Sequence, residues 1–71
     1  MHAPQHTVER LEAALAAARK LGYGIREEWL GGSGSGACVL KGRKWLFLDV
    51  AQGAVEQLAV VEEALRGDAA K

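Results

Sequence analysis

The sequence predicts an α+β domain of αβββα order. It is two layers thick, with a three-stranded antiparallel meander and two helices packed on one face. Three observations predict it. Apolar residues recur at three-and-four spacing in one segment near each end of the chain. Between these segments lie three short runs of strand character. A Gly-rich loop and a Lys-Gly turn separate those runs.

The first helix is expected over 7–21. Val8, Leu11, Leu15 and Ala18 form one stripe, Thr7 is the expected N-cap, Arg19 and Lys20 suit the last turn, and Gly22 stops the helix. A first strand is expected over 23–30. Tyr23, Ile25 and Trp29 share one face, Arg26, Glu28 and Leu30 take the other, and Glu27 intrudes on the apolar side. Residues 31–36, GGSGSG, read as a flexible loop. Residues 37–40 form a second strand, Lys41-Gly42-Arg43-Lys44 a hairpin turn, and 45–50 a third strand. DVAQ at 49–52 has capping-box spacing ahead of a helix over 54–66, with Gly53 as the other N-cap candidate. Val55, Leu58, Val61 and Leu65 make that helix's stripe and Gly67 ends it. The 71 residues read as one domain, with 1–6 and 68–71 as frayed termini.

Nine basic and nine acidic side chains give zero net charge. That balance argues against nucleic-acid binding, which calls for a basic excess. It also leaves self-association unopposed. No apolar run is long enough to span a bilayer, and no secretory signal is visible, so no membrane partner and a cytoplasmic location are expected. A single cysteine, Cys38, cannot form a disulfide within the chain and favours a reducing compartment. A domain this small usually needs a staple, and here a partner chain is the available one.

The third strand is apolar on both faces. Trp45 and Phe47 point one way; Leu46, Leu48 and Val50 point the other. Two helices on one face leave the second face uncovered, a pattern associated with interfaces. The expected partner is a second copy of the chain or another protein. The contact set is Trp29, Trp45 and Phe47, or Leu46 and Leu48 if the other face is the exposed one. Helices on opposite faces would instead cover both sides within the chain.

The spacings that catalytic motifs require are not met. GGSGSG is followed by Ala37, Cys38 and a strand, not by the helix N-terminus that a Rossmann or P-loop phosphate site requires. A small-molecule, anion or enzyme site at this loop is the alternative function. It would use Gly32, Ser33, Gly34, Ser35 and Cys38, with Glu62 or Glu27 as nearby carboxylates. Cys38 has no histidine near it in the ordered part, and its default role is a buried small hydrophobe in a strand. His2 and His6 are too few for a closed metal site. Glu62 falls on the apolar stripe of the second helix, so it is either a flank residue reaching water or a partly buried acid. No catalytic residue, cofactor or metal is expected.

The segments GGSGSGAC, VLKGRKWLFLD and VEQLAVVEEAL resemble a group of short, uncharacterised bacterial proteins with a Gly-rich loop, a Cys, an "LF-D" strand and an "EQL" helix. This covers about half the chain and implies no activity. The strand-to-helix order is also similar to the start of the ImmA/IrrE-type zinc metallopeptidases, whose helix carries HExxH. Here the two histidine positions fall at Glu62 and Arg66, and only Glu63 matches. The resemblance therefore implies a metal-free remnant without peptidase activity.

Overall fold

The computed structural model describes residues 5–32 and 34–69. Its elements are α1 (Gln5–Lys20), β1 (Gly24–Glu28), β2 (Gly36–Leu40), β3 (Arg43–Asp49) and α2 (Ala54–Ala69). The αβββα order and the α+β class are as expected. The sheet is not an antiparallel meander. Its order is β1-β3-β2, with β1 parallel to β3 and β2 antiparallel to it. β3 is apolar on both faces, and the central position suits it better than an edge, where a strand must face water. The chain reaches this order because the connection after β1 crosses the carboxyl end of β3 before entering β2.

α1 ends in a Schellman motif. The Tyr23 N–H donates to the Ala18 carbonyl at 3.0 Å and the Gly22 N–H donates to the Arg19 carbonyl at 3.0 Å. Gly22 adopts φ +95°, the left-handed conformation this cap needs. Tyr23 and Ala18 are both buried, so the cap also delivers β1 onto the core. The start of α1 differs from expectation: it begins at Gln5, so Thr7 is a buried residue of the first turn and not the N-cap, and His6 is helical.

The β2–β3 hairpin turns on Lys41 (φ +54°) and Gly42 (φ +81°), a two-residue turn of type I′. α2 starts after Gly53, whose carbonyl accepts from the Gln57 N–H. It runs through Gly67 to Ala69, beyond the expected stop. The reason is tertiary. Asp68 accepts from the Lys44 ammonium at 2.7 Å and from the Tyr23 hydroxyl at 3.4 Å, which pins the last turn to the sheet. Asp68 is thus no frayed end.

One buried cluster holds the layers together: Leu11, Leu15 and Ala18 of α1, Leu58 and Val61 of α2, Tyr23, and Leu46 and Leu48 of β3. Burying each large apolar chain contributes about 1.5–3 kcal/mol. The shortest dimension of the fold, 16 Å, accommodates one helix layer on one sheet; a third layer would add roughly 10 Å. Val8 and Val55, assigned to the stripes from sequence, lie at their outer ends and are exposed.

Candidate functional site

The fold decides which side of β3 is open. Leu46 and Leu48 lie under the helices and are fully buried, so neither belongs to a contact surface. Alternation places Arg43, Trp45 and Phe47 on the other side, beside Arg26 of β1 and Leu40 of β2. Together with Lys41 these residues line a depression of about 490 Å³. Trp45 and Phe47 stack with ring centroids 6.3 Å apart, and the Arg43 guanidinium lies 4.6 Å from the Trp45 ring centre. Such contacts add modestly to the area term. Trp45 also lies across β1 at Gly24, where a Cβ would stand 2.6 Å from the indole. Gly24 is therefore required by a close approach. Arg26 and Glu28 form a 2.8 Å ion pair on this face. Trp29, beyond the end of β1, is 74% exposed.

β2 is exposed along most of its length. Val39 is 64% and Leu40 55% exposed. Cys38 is exposed too, contrary to the expectation of a buried thiol. It projects from an edge strand on the open side, opposite Trp45, where no helix covers it.

The second feature is a carboxylate expected from sequence only as a helix cap. Asp49, the last residue of β3, has 0% of its surface exposed. Its carboxylate accepts the backbone N–H groups of Ala51 at 2.9 Å, Leu30 at 3.1 Å and Gly34 at 3.3 Å, and that of Gly32 as well. Burial alone would raise the carboxyl pKa; the N–H donors outweigh it and hold the group below the usual carboxylate range. The surrounding bonds extend this hub. The Asp49 N–H donates to the Ser35 hydroxyl at 2.8 Å, which donates to the Gln52 side-chain oxygen at 2.7 Å. The Gln57 amide donates to the Asp49 carbonyl at 2.9 Å, and the Val50 N–H donates to the Glu28 carbonyl. Asp49 is therefore not the capping-box residue its spacing suggested. Its carboxylate organises the segment that crosses from β1 to β2, and the signal was a lone acid closing an otherwise apolar run, WLFLD.

The loop candidates separate accordingly. Gly32, Gly34 and Ser35 are turned onto Asp49; Ser33 lies outside the described residues. Glu62 is directed elsewhere: its carboxylate accepts from Arg10 of α1 at 2.7 Å, and Glu63, not Glu62, lines the cleft with Ser35 and Gly36. Glu27 is exposed on β1. His2 is outside the described residues. Among the described residues, no three His, Cys, Asp or Glu side chains gather as a metal set would, and no helix is long and apolar enough to cross a membrane. No protein-family model matches the chain, and no curated protein or solved structure shows significant similarity to it.

Proposed function

We propose that this protein is a non-catalytic interaction module whose function is to pair with a second copy of itself through its sheet. The observation that carries this reading is the open layer: Trp45, Phe47 and Leu40, with Cys38 beside them, lie on a sheet side that the helices do not cover. Support comes from three directions. The buried cluster is thin for an independent domain of 71 residues. Zero net charge leaves two copies without mutual repulsion. And the backbone donors of the loop, which would serve a ligand anion, are directed at Asp49. An exposed free thiol suits a reducing compartment, so the cytoplasm is the location that accords with this reading.

Sedimentation velocity at micromolar concentration tests it. The wild-type chain should sediment as a dimer. Phe47→Glu, checked by circular dichroism for retained fold, should sediment as a monomer. A wild-type chain that stays monomeric to millimolar concentration would overturn the reading.

A further inference from the structure

We infer that the second copy joins edge to edge, β2 against β2, antiparallel and centred on Cys38, so that two three-stranded sheets become one of six strands. This inference rests on the self-association reading and specifies its mode.

The backbone sets the register. The type I′ turn at Lys41–Gly42 closes on a hydrogen-bonded pair, Leu40–Arg43. Pairs alternate along an antiparallel ladder, so Cys38–Trp45 is hydrogen-bonded and Val39–Lys44 and Ala37–Leu46 are not. The N–H and C=O groups of Ala37 and Val39 therefore point away from β3. Among the described residues no strand lies beyond them. A two-fold axis through Cys38 sets Ala37 opposite Val39 of the second copy and Val39 opposite its Ala37. Each outward donor then meets an outward acceptor, and all five residues of β2 are used. No register shifted from this one pairs all five.

The side chains fit the same register. On the open side Leu40 comes opposite Gly36 of the second copy, where no atom lies within 4 Å of the position a side chain would take. Phe47 is the ladder partner of Gly36, so Leu40 can lean across the glycine onto that ring. On the helix side Val39 meets Ala37. Large thus faces small at every pair except the centre, where Cys38 meets Cys38. Charge agrees as well. β2 holds no charged residue, and the cation that follows it, Lys41, comes alongside Ser35 of the second copy, whose cleft is lined by the acid Glu63. The opposite edge offers no such match: Arg26, Glu27 and Glu28 occupy three of the five positions of β1, and charged edges resist pairing.

Two kinds of variant test the inference in the intact chain by sedimentation equilibrium. Val39→Pro removes an N–H that β3 does not use and leaves the hairpin ladder complete. It should weaken the dimer by roughly tenfold or more, because two symmetry-related bonds between copies are lost. Cys38→Glu sets two carboxylates face to face and should weaken self-association on the order of fivefold, while an equimolar mixture of Cys38→Glu and Cys38→Lys chains should recover it as a heterodimer. If Val39→Pro does not fold, the mixture decides: no preference for the heterodimer overturns edge pairing. A folded Val39→Pro chain that dimerises like the wild type, alongside a monomeric Phe47→Glu, also overturns it and leaves face-to-face self-association standing. A monomeric wild type removes both readings.

Discussion

β1 and β2 flank the same central strand yet meet water in opposite ways. β1 carries Arg26, Glu27 and Glu28, two of them joined in an ion pair. β2 is Gly-Ala-Cys-Val-Leu, exposed on much of both faces and without a charge. Only one side of this small sheet carries charges that resist the pairing of a further strand; the other edge carries none. What keeps the two edges apart is the crossing over β3, and that crossing is held at Asp49.

The largest effect should therefore come from Asp49. Asp49→Ala leaves the N–H groups of Leu30, Gly32, Gly34 and Ala51 without their acceptor in a buried site. In so small a domain the expected outcome is loss of the cooperative thermal transition followed by circular dichroism, with both edges lost together. The same group contributes to the acid dependence of stability. Its folded pKa lies below the ordinary carboxylate value, so its stabilisation is fully present above about pH 4 and is lost as pH falls through the depressed folded pKa. Urea titrations from pH 7 to pH 2 should show this loss in the wild type. Asp49→Asn, less stable at neutral pH, should lack that component of the acid dependence.

Gly24→Ala addresses the protected edge. Its methyl would stand 2.6 Å from the Trp45 indole, so the ring must move. The expected cost is about 1–3 kcal/mol by chemical denaturation, with a shift in Trp45 fluorescence, which is resolved from Trp29 in a Trp29→Phe background. An unshifted spectrum and unchanged stability would show that β1 does not hold the indole.

Asp68→Ala addresses the other side of the sheet, where Lys44, the ladder partner of Val39, holds the end of α2. Losing the ion pair and the Tyr23 contact should cost about 1 kcal/mol and shorten α2 by its last turn. The Tyr23 phenol gives a second readout. Its pKa is raised by burial and by the Asp68 charge, the Lys44 charge opposing. A folded pKa above the unfolded one means a contribution that is complete below about pH 10 and is lost as pH rises through the folded value. Asp68→Ala should move the Tyr23 absorbance titration back toward the ordinary value.

Glu62→Ala should have the smallest effect. Its pair with Arg10 joins the two helices and is substantially exposed. A change within about 0.5 kcal/mol in stability, and none in self-association, is the expected outcome.

The two helices, the three strands and the hairpin were legible in the sequence because each is local. A 3.6-residue stripe, a Gly after Arg19-Lys20 and a Lys-Gly pair between apolar runs are read from neighbours along the chain. The apolar excess of β3 was legible too. Strand order was not, because alternation along a strand is the same whether its neighbour runs parallel or antiparallel. Nor was the side left open: Trp45–Phe47 and Leu46–Leu48 are equally apolar, and the helices chose. Gly67 carried a correct local stop signal that the Lys44–Asp68 contact overrode. Cys38 read as a core residue by type and became exposed by position. Asp49 read as a helix cap because three-residue spacing is all a sequence can offer. Its bonds to Leu30, Gly32 and Gly34 join segments 15 to 19 residues apart, and only the folded chain brings those donors to one carboxylate.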